Sequence, residues 1–319
     1  MTIPIGPVEG PLPLGEVALE ELNALFSAAF SERYRRDGMV GVRVPPLHPR
    51  LWRFALEAAG AGAMAWRDAE GRLAAFNLAH VSGTEGWMGP LAVREDLQGQ
   101  GLGTRMVDAA VAHLRAAGCR IIGLETMPRT MDNIGFYAHR GFEPGPLTIT
   151  VTLTGTAGDP PERLGALGAE SLEAGLAACA ALLARVRPGV DYGREIGLTI
   201  RHGIGDCVLL RDAVGALEGF ALYHDVPLVE GRALDEVRVL KAAVATADAM
   251  PRLAALVARQ ARRSGASRAA LRIQGEHPTL LRTLVQQGAR VRWTDLRMHL
   301  AGHAEPVPAA GVVLSNWEI

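Results

Sequence analysis

The chain of 319 residues is 49% hydrophobic and 21% charged, too apolar to remain disordered and long enough to bury two cores. A formal net charge of −1 gives no global field toward nucleic acid or an anionic membrane, so small-molecule partners are expected. Three cysteines, Cys119, Cys179 and Cys207, stand in no CxxC or Cys/His spacing, which supplies neither a disulfide framework nor a metal site and fits a reducing cytoplasm.

Residues 1–13 have no basic segment leading into an apolar run. The longest apolar stretch, near 172–186, is broken by Glu173 and Arg185, so neither secretion nor membrane insertion is expected. Residues 16–36 read as an amphipathic helix through Leu19, Leu22, Leu25, Phe26 and Phe30, and 48–59 as a second. Strand character follows at 62–66, 73–82 and 86–93, punctuated by Glu70-Gly71 and Gly83. A helix over 104–117 stops at Gly118, a strand covers 120–126, and a short helix over 133–139 leads to a strand at 147–153 in which apolar residues alternate with threonine.

Residues 155–161, rich in Gly, Thr and Pro, read as a linker. The order then repeats: helix 164–185, strands 207–211, 218–224 and 234–245, helix 249–264, strand 268–274 and a short helix over 279–287. Gly118 and Gly141 lie 23 residues apart, as do Gly265 and Gly288, and each pair brackets strand, Pro-containing loop and short helix. The expectation is an α/β (α+β) protein of two tandem units, 1–154 and 162–319, each a mixed, mostly antiparallel sheet flanked by helices.

The segment Leu91-Ala92-Val93-Arg94-Glu95-Asp96-Leu97-Gln98-Gly99-Gln100-Gly101-Leu102-Gly103-Thr104 is a strand, a glycine-rich turn and a helix start. Such a junction attracts anions, because the first amides of a helix lack intrahelical partners, the dipole is positive there, and glycine lets a pyrophosphate approach. A dinucleotide fingerprint would need glycine where Thr104 stands, and a P-loop would need Gly-Lys-Ser/Thr.

Gln98-x-x-Gly101-x-Gly103 resembles the [Gln/Arg]-x-x-Gly-x-[Gly/Ala] motif of the GNAT acetyltransferase superfamily. Thr130 to Phe142, with Tyr137 and the Gly141-Phe142 pair, is similar to that family's later segment. The resemblance covers about 16–153. It implies a sheet that splays between its fourth and fifth strands, acetyl-CoA as co-substrate, and no metal. It places Leu91, Ala92 and Val93 against the pantetheine arm, Gln98, Gly99, Gln100, Gly101, Leu102, Gly103 and Thr104 around the pyrophosphate, and Asn133 and Phe136 beside the coenzyme. Tyr137 becomes the acid that protonates the departing thiolate, with a core aromatic as the plainer alternative. Thr130 departs from the asparagine common at its position.

Glu125, the one carboxylate in the run Ile121 to Glu125, is the candidate general base, with pairing to an arginine such as Arg129 as its alternative; His80 is second. The counterpart of the glycine turn in the second half, Ala243 to Pro251, has no glycine and places Asp248 at the helix start, so only the first half is expected to bind coenzyme. The second half is then expected to wall the acceptor site, where Asp225, Glu230, Asp235 and Glu236 favour a cationic amine or are simply solvated. The acceptor is expected to be a small-molecule amine and the chain a monomer or homodimer, and nucleic acid is disfavoured despite the arginines of 250–300. The competing reading is a non-catalytic acyl-CoA sensor.

Overall fold

Apolar periodicity becomes helices and strands throughout residues 8–316, the part of the chain that the computed structural model describes. The first half comprises β1 (Glu9–Pro13), α1 (Leu19–Arg36), α2 (Pro49–Ala59), β2 (Ala63–Arg67), β3 (Leu73–Ser82), β4 (Glu85–Val93), α3 (Leu102–Ala116), β5 (Ile121–Thr126), α4 (Met131–His139) and β6 (Phe142–Thr154). The second comprises α5 (Ala169–Val186), α6 (Gly193–His202), β7 (Gly205–Arg211), β8 (Leu217–His224), β9 (Glu236–Val244), α7 (Ala249–Arg263), β10 (Arg268–Gln274), α8 (Pro278–Gln286), β11 (Arg290–Leu300) and β12 (Val312–Ser315). Local chemistry sets the ends. Pro49 opens α2 while His48 caps the Arg50 amide at 3.1 Å, and Gly118, at φ +79, turns the chain out of α3 in the left-handed region.

The strands join in one mixed sheet in the order β1-β2-β3-β4-β5-β11-β6-β10-β9-β8-β7, with β12 added on β9. β11 of the second half lies between β5 and β6, and β6 of the first lies between β11 and β10. Each half thus completes the sheet of the other. The register that carries Gly118 onto Gly265 also carries Glu125 onto Arg272 and Thr148 onto Asp295. Thr148 and Asp295 are direct partners across β6 and β11, so a pseudo-two-fold axis passes between them. Residues 155–161 are tied down at their start, with the amides of Gly155 and Thr156 bonded to the carbonyls of Ser267 and Ala258.

On one face, α3 and α4 cover the first half and α7 and α8 the second, each over its own apolar cluster. On the other face α1, α2, α5 and α6 share one core that runs across both halves, including Leu22, Trp52, Phe54, Phe76, Leu182, Ile196, Phe220 and Leu222. A common core and exchanged strands tie the halves together through apolar burial and backbone hydrogen bonds alike.

Candidate active site

The cleft arises from a mismatch of strand lengths. β4 and β5 pair in parallel from Glu85 and Ile121 only as far as Met88 and Leu124. A bulge then turns β4, so that Leu91, Ala92 and Val93 pair with Asn77, Phe76 and Ala75 of β3 on one side and leave their other edge facing the gap. Glu125 and Thr126 form the opposite wall.

At the head of the gap three glycines shape the turn. Gly99 and Gly101 hold φ of +74 and +84, and Gly101 is the N-cap of α3. A Cβ at Gly103 would lie 3.4 Å from the half-buried ring of Phe136. The helix closes first with the Arg105 amide on the Gly101 carbonyl, which leaves Leu102, Gly103 and Thr104 with outward amides, and no acidic residue occupies the first turn. Gln98 folds the turn back on the strand, donating to the Val93 carbonyl at 2.9 Å while accepting from Arg36 at 2.9 Å. Gln100 donates to the Asp96 carbonyl at 3.0 Å. These are the features a pyrophosphate and an amide-bearing arm need: a cradle that Cβ atoms would fill, free amides and a free strand edge.

Tyr137 stands on α4 in the apolar cluster that contains Met88 and Leu124, the residues at which β4 and β5 part. Its ring packs edge-on against Phe136 and Phe142, at 5.2 and 6.1 Å. Burial pushes its phenol up to about 12, so it holds its proton throughout the working pH range. Asn133 reaches Thr126 across the mouth at 3.5 Å. Thr130, the departure from the family pattern, is buried and donates to Asp37 at 2.6 Å, fastening α4 to the end of α1.

Glu125 requires a correction. Its carboxylate is gripped by Arg272 and Arg297 of the second half and accepts from Thr148, while Arg129 is not its partner. Burial pushes its pKa up, but the two guanidiniums and the hydroxyl outweigh burial and hold it below the usual carboxylate range. A carboxylate so neutralised binds the halves together and is a poor proton acceptor. His80 is no better placed: burial, reinforced by Lys241, pushes its imidazole down to about 3, and the ring hydrogen-bonds the backbone of Gly89. Among the acidic residues of the second half, Asp235 and Glu236 pair with Arg268, and Asp225 accepts from Ser264.

Beneath the cleft lies a buried ionic layer that the sequence did not announce. Glu85 accepts from Trp87 at 2.8 Å, from Tyr192 at 3.1 Å and from Ser315, with Lys241 and Arg187 each at 3.7 Å. Arg297 stacks on Trp87, 3.8 Å from the ring centroid, and donates to Glu125 at 2.7 Å and Glu305 at 2.8 Å. Lys241 is the single lysine of the chain, a compositional oddity that marks it in the sequence. The arginines are not so marked, because β11 alternates charge and reads as a solvent-facing segment.

A mixed sheet that parts between two parallel strands, over a glycine turn at a helix start, is the fold of the GNAT acetyltransferases. Residues 20–142 match the family model described as acetyltransferase (GNAT) family. That match lies within the first half of the chain, and the chain as a whole is similar in fold to tandem proteins of that kind. No curated protein matches it. Similar solved structures include N-myristoyltransferase of Saccharomyces cerevisiae with bound myristoyl-CoA and inhibitors (10% identity, 100% of this chain and 88% of that one, TM-score 0.65). A tandem GNAT protein from the clavulanic acid biosynthesis pathway is similar at 13% identity over 92% of this chain and 98% of that one, TM-score 0.59. A GCN5-related N-acetyltransferase from Sphaerobacter thermophilus is similar at 15% identity, 92% and 94% coverage and TM-score 0.57. Among the described residues no helix is long and apolar enough to cross a membrane, and no group of three or more His, Cys, Asp or Glu is placed to hold a metal ion.

Proposed function

We propose that the chain transfers an acetyl group from acetyl-CoA to a primary amine by direct attack in a ternary complex formed in the cleft between β4 and β5. The reading rests on one observation above the others: at Leu91 to Val93 no strand pairs with β4 on its cleft side, and that edge leads to a glycine-lined helix start free of acidic side chains. The arm lies along that edge, the pyrophosphate on the amides of 101–104, and Tyr137 returns a proton to the thiolate as the C–S bond breaks. With Glu125 neutralised by arginines, the ammonium proton leaves to water or the amine arrives as free base.

The test is calorimetric titration of the full-length chain with acetyl-CoA, followed by assay of CoA release across primary amines. One site per chain and amine-dependent release support the reading; no binding overturns it. The pairing of Glu125 with Arg272 and Arg297 favours one second reading, an acyl-CoA sensor, which predicts binding without CoA release for every amine.

A further inference from the structure

The second half repeats the architecture of the cleft and fills it with peptide. Its parallel strands begin pairing at Glu236 and Arg268 as the first pair does at Glu85 and Ile121, and pairing stops at Arg238 and Ala270. The bulge recurs, with Tyr223 opposite Val239 and then Leu222 opposite Lys241. Counted from the paired glutamates, Ala242 to Val244 corresponds to Leu91 to Val93. Along that edge lies β12, antiparallel, with Val312 opposite Val244, Val313 opposite Ala243 and Leu314 opposite Ala242.

We infer that the second cleft is a strand-binding slot whose resident ligand is the C-terminal segment Val312 to Ser315, seated where a coenzyme arm would lie and excluding a second coenzyme. The inference rests on the proposed function only for the reading of Leu91 to Val93 as the edge of the arm. Side chains of β12 seal the slot on both faces, Val313 in the core shared by α1, α2, α5 and α6, and Val312 and Leu314 in the core under α7 and α8. Gly311 makes the approach possible: it holds φ +78, and a Cβ there would overlap the Val244 carbonyl oxygen. Beyond the slot the strand is anchored by polar contacts. The Asn316 amide donates to the Leu240 carbonyl at 2.8 Å, and the Ser315 carbonyl accepts from Arg297 at 3.0 Å and Gln274 at 3.2 Å. Ser315 also donates to Glu85 at the start of β4, and Arg297 grips Glu125, so the occupant of the second slot is tied directly to β4 and through Arg297 to β5 of the first half. The class of ligand is an extended peptide backbone with β-branched and aliphatic side chains, recognised as an added strand.

Hydrogen exchange on the full-length chain tests this. Without coenzyme, the bonded amides of Val312 to Ser315 and Ala242 to Val244 should exchange at least about 100-fold more slowly than those of Val307, Ala309 and Ala310. Gly311→Ala should speed exchange in both segments by about 10-fold or more while leaving Ile121 to Thr126 unchanged, and a synthetic peptide spanning 310–316 should restore their protection in trans. Added acetyl-CoA should protect Leu91 to Val93 and leave Ala242 to Val244 as they were. Loop-like exchange of β12, or acetyl-CoA protection of Ala242 to Val244, would overturn the inference. Absence of protection at Leu91 to Val93 would instead sink the coenzyme reading, and the slot would still be judged by the coenzyme-free comparison.

Discussion

The two clefts of this chain share a frame and differ in what their chemistry admits. Both have parallel strands that part after a few pairs, four in the first and three in the second, and a bulge on the antiparallel side. The first continues into Gly99, Gly101 and Gly103 and a helix start without acidic residues, whereas the second continues into Asp248 and the buried Ala249 and Met250. A carboxylate at the positive end of a helix stabilises the helix and repels a phosphate. Sheet geometry alone therefore does not make a coenzyme site; free amides, absent Cβ atoms and an open strand edge do, and the second half has given up all of them.

The sharpest way to break the comparison is to make the first cleft resemble the second. Gly103→Val places a branched side chain against Phe136 and in the path of the pyrophosphate, and should raise the Kd for acetyl-CoA on the order of 1000-fold, about 4 kcal/mol, in calorimetry. Wild-type affinity in that variant would remove the glycine turn from coenzyme binding.

Glu125→Gln tests whether the carboxylate binds the halves or does chemistry. Arg272 keeps Asp295 and Arg297 keeps Glu305, but the loss of the carboxylate they share should still cost about 2 kcal/mol in denaturant unfolding. The pH dependence has a definite sign. A carboxyl held low in the folded chain contributes stability that is present above its unfolded value near 4.3, and this contribution is lost as pH falls through the folded pKa. The variant should therefore lose stability at neutral pH and show a flatter acid limb. Its kcat per folded molecule should keep the wild-type profile on the neutral and alkaline side, and a loss of the alkaline rise would restore Glu125 as base.

Tyr137→Phe should lower kcat by about 100-fold and leave coenzyme affinity unchanged, since a general acid acts on the departing thiolate rather than on the bound ground state. A fully active variant would make Tyr137 a packing residue. The smallest effect is expected in the second half: Asp248→Gly removes the unfavourable charge but leaves β12 in place, so stoichiometry should stay at one acetyl-CoA per chain. A second site in that variant would mean that charge, and not the strand, had closed the slot.

The candidate cleft was legible because its signals are local. Gln98 to Thr104 and Thr130 to Phe142 each carry their chemistry within one turn or helix, and the paired glycines gave the register between halves. The exchange of β6 and β11 was not legible. It is a pairing between distant segments, and β11, with Arg290, Arg292, Asp295, Arg297 and His299, has the polarity of an exposed strand although its end is buried in the ionic layer. The same distance in sequence hides the arginine partners of Glu125, an isolated acid in an apolar strand, because they arrive from the other half. β1 escaped notice for a local reason, since Pro11 and Pro13 fall within its five residues and proline is tolerated only at a sheet edge.

The pseudo-two-fold axis through Thr148 and Asp295 carries a final consequence. In a pair of identical chains every residue beside such an axis faces its own copy, so Glu125 would meet a second glutamate and Arg272 a second arginine, like charges in a dry interior. Joining the copies covalently releases them from that identity. One side can become acid and the other base, and the seam of the molecule is held by a complementarity that no homodimer of this repeat can build.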